Sequence, residues 1–372
     1  KLDIFTGFIY SINFPVNILM SRKIIHADCD CFFAAVEMRD DPRLNTVPMA
    51  IGGDPGRRGV IATCNYLARS FGVRSAMASA LAKKRCPELL ILPGNMEKYR
   101  QASKQIGDIF RQYTDLVEPL SLDEAFLDVS QSRCCGGSAT RMAEQIRLRV
   151  SEQVGITISA GVAPNKLIAK IASDWNKPNG LCVVTPAEVD AFVALLPVAR
   201  IYGVGPAMTL KLQQRGVQTC QQLRRFERAE LKLWLGSFGE QLYQLCRGID
   251  DRQVRTDRRR KSLSVEQTYD QDLAELSACV ASLPLLLQRL RRRVEALGSE
   301  YSITGTWVKV KFDDFSQTSI ASQDRNLDST PMFEALLAEG FYRYKRPVRL
   351  LGVGVRLGDS QPQSGQQLSL FG

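Results

Sequence analysis

Histidine is almost missing from this 372-residue sequence, with His26 the single example. That scarcity disfavours zinc enzymes, histidine-based phosphotransfer and Ser-His-Asp hydrolases together, because each is built around imidazole. Paired Cys-x-x-Cys clusters are missing as well. The ten cysteines are scattered, which argues against structural zinc and, with no clear export signal, reads as reduced thiols in a cytoplasmic protein. No apolar run has the length of a membrane span, so no membrane partner is expected. Acidic residues are outnumbered by Lys and Arg, 39 to 49, which leaves a net charge of +10 and a pI near 9.2. A polyanionic partner follows, with nucleic acid ahead of an acidic membrane surface. The length accommodates roughly two to four domains with real cores. Residues 1–20 are apolar and aromatic, lack a small-residue cleavage site and precede a better start at Met20-Ser21-Arg22-Lys23. They are expected to be an upstream extension outside the fold.

What is present is a concentration of carboxylates in apolar surroundings. Glu118-Pro119-Leu120-Ser121-Leu122-Asp123-Glu124-Ala125-Phe126-Leu127-Asp128 sets Asp123 beside Glu124. Ionised acids in such a place need a cation, so the pair is a candidate site for divalent metal. The alternative is a helix start, because Ser121 and Glu124 have capping-box spacing. The apolar run stops at residues 130–138, too soon for a helix, so a hairpin is expected with residues 116–117 incoming and 125–129 outgoing. Upstream, residues 23–30 read as a short buried strand ending in Asp28 and Asp30, followed at once by a helix with Phe32, Phe33 and Val36. Acids between a strand and a helix occupy the position where open α/β sheets build active sites. Asp28 is expected to act there, Asp30 to cap the helix, and His26 to be a packed core residue.

Further along, Tyr66 and Arg69 share a helix face and could hold a phosphate chain. Helices are expected at 98–113 and 139–154, with a strand at 157–162. Together with the hairpin this gives a split βαβ sheet with helices on one side, which would bring Asp28, Asp123 and Glu124 together. Lys166 and Lys170 would share a helix face, with Lys177 following. Beyond residue 186 the pattern is helical, and the segment around Gly203-Val204-Gly205 looks like a helix-hairpin-helix whose glycines let backbone N–H groups approach a DNA phosphate. The basic run 251–261, with Arg258, Arg259 and Arg260, reads as a linker able to track the phosphate backbone. In the strand 307–312, Lys309 and Lys311 fall on one face and Val308, Val310 and Phe312 on the other.

Asp28-Cys29-Asp30-Cys31-Phe32-Phe33, Asn65-Tyr66-Leu67-Ala68-Arg69, Ser121-Leu122-Asp123-Glu124-Ala125 and Ala169-Lys170-Ile171-Ala172 resemble the Y-family DNA polymerases in order and spacing, over nearly all of 21–372. The resemblance implies an α/β and α+β multidomain chain. Its parts would be a split βαβ palm (21–38 and 94–185), small fingers (39–93), a helical thumb with the helix-hairpin-helix (186–250), the basic linker (251–261), an α+β little finger (262–357) and a tail (358–372). It implies error-prone translesion synthesis without a proofreading exonuclease, on primer-template DNA and deoxynucleoside triphosphates, by a monomer. Two Mg²⁺ ions would be held by Asp28, Asp123, Glu124 and the backbone carbonyl of Cys29. Tyr66, Arg69 and Lys170 would hold the triphosphate, and Phe33 would pack under the sugar and exclude a ribose 2′-hydroxyl. In the tail, Gln367, Leu368, Leu370 and Phe371 match the segment by which bacterial polymerases bind the sliding clamp. Two other readings stay open at the level of sequence: a non-catalytic helix-hairpin-helix DNA-binding protein, and a palm-fold nucleotide cyclase-like enzyme.

Overall fold

The computed structural model describes residues 22–257 and 259–359. Residues 1–20, Arg258 and the tail with Gln367, Leu368, Leu370 and Phe371 lie outside the described residues. The described strands are β1 (Ile24–Cys29), β2 (Met49–Gly52), β3 (Ile61–Cys64), β4 (Leu90–Leu92), β5 (Val117–Pro119), β6 (Glu124–Asp128), β7 (Ile158–Ala163), β8 (Leu181–Val183), β9 (Ser262–Leu273), β10 (Tyr301–Phe312), β11 (Gln317–Ser322) and β12 (Val348–Asp359). The chain divides into two compact units, Lys1–Pro42 with Asn95–Thr256, and Arg43–Gly94 with Asp257–Gly372.

The first unit is built on a five-stranded sheet of order β5-β6-β1-β7-β8. β1 runs antiparallel to both β6 and β7, which is the split βαβ arrangement, and β8 is added parallel to β7. The capping-box alternative at Ser121 fails because Glu124 opens a strand. Helices Met96–Phe110 and Ala139–Val154 pack on one another, and the second of them lies against β1 and β7. Their buried residues recur at helical spacing, for example Tyr99, Ala102, Ile106 and Ile109. Asn95 and Ser138 cap them through their side chains.

The expectation of helices on one side needs correction. In an antiparallel sheet directly opposed residues share a face, so Ile24, His26 and Asp28 stand with Phe126, Glu124, Gly161 and Ala163. A third helix, Lys166–Ser173, covers that face, and every residue of β7 is buried. Gly161 is what lets it approach: a Cβ there would stand 2.1 Å from the Ala169 carbonyl oxygen and 2.4 Å from the Ser173 nitrogen. The core under this helix continues through Leu196, Leu212, Leu223, Leu231 and Leu242 into the small helices of residues 189–245.

The expected linker also differs, because its first half is anchored. Asp250 accepts the Leu167 N–H at 2.9 Å and the Arg252 guanidinium at 2.7 Å, and Arg255 N–H donates to Glu118 at 2.8 Å. Each contact satisfies a polar group that burial would otherwise leave unpaired.

In the second unit, residues 43–94 form a three-stranded sheet of order β3-β2-β4 with helices Tyr66–Ser70 and Ser79–Arg85. Residues 259–359 form a four-stranded antiparallel sheet of order β11-β10-β12-β9, packed on helices Leu276–Glu295 and Thr330–Tyr342. Val308, Val310 and Phe312 enter that core, and Lys309 and Lys311 take the outer face, as the alternation predicts.

The glycine contacts yield a prediction. Gly161→Ala should cost about 3 kcal/mol or more of unfolding free energy in urea, because backbone atoms of a packed helix cannot yield. Gly205→Ala, where nothing lies within 4 Å of the added Cβ, should cost less than about 1 kcal/mol. Equal losses would mean that the helix is not seated on the sheet as described.

Candidate active site

β1 and β6 pair so that Asp28 stands directly opposite Glu124. The bend between β5 and β6 is tied to the same place, because Cys29 N–H donates to the Asp123 carbonyl at 2.9 Å. Register therefore brings Asp28, Cys29, Asp123 and Glu124 to one edge of the sheet. The side chains differ in direction. The Asp123 carboxylate accepts from Ser121 Oγ at 2.5 Å in the turn, whereas Asp28 and Glu124 project over the covered face with His26. One ligand atom from each of His26, Asp28 and Glu124 lies within 4.8 Å of the others.

Two acids this close repel, and two lysines answer them. Lys177 Nζ pairs with Asp28, and Lys170 Nζ pairs with Glu124. The outcomes are opposite. Burial pushes the Asp28 carboxyl up to about 6 despite Lys177. For Glu124 burial works in the same direction but is outweighed by His26 and Lys170, which hold it at about 2. A second pair lies one helical turn from Lys170, where Lys166, only 5% exposed, donates to Glu118 at 2.5 Å. The expectation that Lys166 and Lys170 share a face therefore holds: both reach the hairpin.

Asp30 does not cap the helix that follows. Its carboxylate is 1% exposed and accepts from Thr157 Oγ1 at 2.8 Å, Ser159 Oγ at 2.8 Å and Asn179 N–H at 2.7 Å, clamping β7 to the 177–180 segment. The N-cap is Cys31, in a left-handed conformation with φ 43° and no side-chain cap bond. Helix Phe32–Asp40 points Phe32 into the core, 2% exposed, and leaves Phe33 partly accessible. The Phe33 ring stacks on Tyr99 with centroids 4.2 Å apart and planes at 13°, and Tyr99 OH donates to Glu37 at 2.8 Å. His26 is fully buried, as expected, with Nδ1 2.8 Å from Ser173 Oγ and Nε2 3.2 Å from Glu124.

The remaining expected residues are placed elsewhere. Tyr66 and Arg69 belong to the second unit, with the Arg69 guanidinium 4.7 Å from the centre of the Tyr66 ring. Gly203 adopts φ +93°, and a Cβ there would meet the Phe238 ring at 2.8 Å, so only glycine suits it. Gly205 precedes helix Pro206–Gln213 as its N-cap. Arg259 pairs with Asp359, Arg260 is exposed, and Lys309 meets Glu266 at 3.1 Å. The Asp28–Lys177 pairing and the Asp30 clamp were missed from sequence. The Asn-Lys-Pro-Asn-Gly segment after helix Lys166–Ser173 was the available signal.

Comparisons with known proteins agree with this geometry. The impB/mucB/samB family model matches residues 27–174, its C-terminal domain matches 260–370, and the DNA polymerase-iota thumb domain matches 199–250. DNA polymerase IV of Pseudomonas putida is 58% identical over 352 residues, covering 94% of this chain and 98% of the relative. The chain belongs to the Y-family DNA polymerases. DNA polymerase IV of Ralstonia nicotianae is 57% identical over 346 residues, 93% of this chain and 97% of that one. Among solved structures, a chimeric Y-family DNA polymerase superposes with a TM-score of 0.82 at 28% identity, covering 90% of this chain and 98% of that one. The insertion ternary complex of Dbh DNA polymerase gives a TM-score of 0.64 at 27% identity, with the same coverage. As in the Y-family generally, the fold combines a palm, a helix-hairpin-helix thumb and a C-terminal little finger.

The two acids after β1 should separate by experiment. Asp30→Ala strands two hydroxyls and a backbone N–H and should lower the unfolding free energy by about 3–5 kcal/mol. Asp123→Ala, at a turn, should lower it by less than about 1 kcal/mol. Urea titration of both variants decides, and a stable Asp30→Ala protein would remove the clamp.

Proposed function

We propose that this chain extends a primer on a DNA template, the primer 3′-hydroxyl attacking the α-phosphorus of a deoxynucleoside triphosphate and expelling pyrophosphate. It is a template-directed translesion polymerase by family and uses divalent metal. The observation that carries the chemistry is the cross-strand Asp28–Glu124 pair, whose negative charge is met by lysine ammonium groups where a metal-loaded site would hold cations. An all-oxygen donor set of this kind suits Mg²⁺.

On this reading Asp28, Asp123, Glu124 and the backbone carbonyl of Cys29 would hold the Mg²⁺ ions. Bound Mg²⁺ lowers the pKa of the attacking hydroxyl and neutralises charge on the leaving oxygens. Lys170 neutralises Glu124 in the ligand-free protein and becomes available to the triphosphate once the carboxylate has another cation. Tyr66 and Arg69 are proposed as the other triphosphate holders, and Phe33 as the sugar gate. Its stacking on Tyr99 gives the ring a fixed plane, which a steric gate requires.

Gly203 and Gly205, Arg258, Arg259 and Arg260, and Lys309 and Lys311 are proposed to contact the DNA backbone. A monomeric state and a cytoplasmic location belong to the same proposal. No described helix is long and apolar enough to cross a membrane. The tail residues Gln367, Leu368, Leu370 and Phe371 are proposed to bind a sliding clamp. Deleting 367–372 should leave extension without clamp unchanged and abolish stimulation by clamp, whereas equal stimulation would refute that role.

Primer extension tests the main proposal. Asp123→Asn and Glu124→Gln should each fall below a tenth of wild-type turnover in saturating Mg²⁺ while DNA binding is nearly retained. Retained turnover would sink the site assignment.

Phe33→Ala should raise ribonucleotide incorporation, and Phe32→Ala should instead lose about 3–5 kcal/mol of stability. The reverse pattern would assign the gate to the other ring.

A further inference from the structure

The ring proposed as the sugar gate stands on a helix start that holds it weakly. Phe33 is the second residue of helix Phe32–Asp40, and the N-cap, Cys31, makes no side-chain cap bond, so the first turn lacks the contact that ordinarily stops fraying. The ring is partly exposed, and its firm neighbour is Tyr99, stacked at 4.2 Å with planes 13° apart. Stacking sets the separation of two rings more firmly than their lateral register, because offset arrangements of similar energy lie close together.

The register comes from the far end of the tyrosine. Tyr99 is completely buried, and its hydroxyl donates to Glu37 Oε1 at 2.8 Å. Glu37 follows Phe33 by one helical turn and shares its face, so the contacts close a loop: gate ring, tyrosine ring, hydroxyl, carboxylate, and back along the helix. The second carboxylate oxygen is held by Lys98, the chain neighbour of Tyr99, at 2.6 Å, and Lys98 also reaches Asp40 at 3.0 Å. Held at both oxygens and with its side chain only 14% exposed, the Glu37 carboxylate has little freedom to turn away. Burial keeps the bond closed, since either group would be costly to leave unpaired.

We propose that Glu37, acting through the Tyr99 hydroxyl, is a positioning residue that sets sugar discrimination by keeping the Phe33 ring in its seat. A ribonucleotide enters only by displacing that ring, whereas a deoxyribonucleotide leaves it in place. Every interaction that resists displacement therefore adds to the difference between the two substrates. The inference rests on the reading of Phe33 as the gate and extends it to residues that act on the nucleotide only through that ring.

The test is single-nucleotide primer extension with the full chain, comparing kcat/KM for a ribonucleoside triphosphate and for its deoxyribonucleoside counterpart. Tyr99→Phe keeps the stacked ring and removes only the hydroxyl, and should raise the ribonucleotide-to-deoxyribonucleotide ratio about three- to tenfold, the worth of one hydrogen bond. Glu37→Ala should raise it by as much, and the double variant no further, because both changes remove the same bond. Glu37→Gln keeps an acceptor oxygen, leaves Lys98 to Asp40, and should hold the ratio within about twofold of wild type. In a Phe33→Ala background Tyr99→Phe should change nothing, an outcome that a purely structural role for the tyrosine does not give. An unchanged ratio in a Tyr99→Phe protein that still extends primers overturns the proposal. So does an unchanged ratio for Glu37→Ala, which probes the same bond if the tyrosine variant does not fold, and so does a Tyr99→Phe effect that persists without Phe33. If Phe33→Ala itself leaves the ratio unchanged, the gate reading falls and takes this inference with it. If Phe33→Ala raises the ratio and the Tyr99 and Glu37 variants do not, only this inference falls.

Discussion

Two carboxylates forced face to face on neighbouring antiparallel strands are the constraint from which the rest of the palm follows. In the β1–β6 register Asp28 stands opposite Glu124, within two strands whose buried residues pack on both faces of the sheet. The register is thus set by Ile24, Ile25, Leu127 and Phe126, which are all buried, and the acids are carried along. Stability then depends on cations within reach, since half-buried acids of like charge cannot stay ionised alone. Lys170 and Lys177 supply them, each from the segment that follows β7.

That segment is held by close backbone approach. Gly161 admits helix Lys166–Ser173 onto the sheet, and the helix then presents Lys166 and Lys170 one turn apart, to Glu118 and Glu124 respectively. The two ion pairs flank the hairpin that carries Asp123. On the outgoing side Asp30 holds the 177–180 segment, and with it Lys177, against β7. Asp28 and Asp30 therefore divide the work. The first carries a charge at the site that Lys177 meets, and the second holds the frame through Thr157, Ser159 and Asn179.

Much of this was legible where the signal is local. The hairpin, helix Ala139–Val154 and the two-faced strand β10 follow from periodicity and turn residues, and the structure places them accordingly. The convergence of Asp28 and Glu124 followed from element order. What could not be read depends on partners distant in sequence. Asp30 looks like a cap because a helix follows it, and only the presence of Thr157, Ser159 and Asn179 makes it a clamp. The start of the basic linker looks solvated because its composition is charged, yet Asp250, itself held by the Leu167 N–H, pairs with Arg252, and Glu118 of β5 accepts the Arg255 N–H. Asp123 has the right neighbours, but its side chain answers to Ser121, a contact that spacing does not distinguish from a capping box.

The net charge of +10 is consistent with a nucleic-acid partner, but the lysines nearest the acids are already committed. Several surface cations are committed too, Lys309 to Glu266 and Arg259 to Asp359. Exposed pairs of that kind are worth less than about 1 kcal/mol and open readily to a phosphate. The pairs at the site are different, because an ammonium group that leaves a half-buried carboxylate must be replaced by another cation. On the proposed reading, entry of metal and release of Lys170 and Lys177 would be one exchange. A cation held by Asp28 and Glu124 would free positive charge beside the place where a triphosphate would bring negative charge. On this reading metal and triphosphate each favour the other's binding, and the lysines hold the acids in place until both arrive.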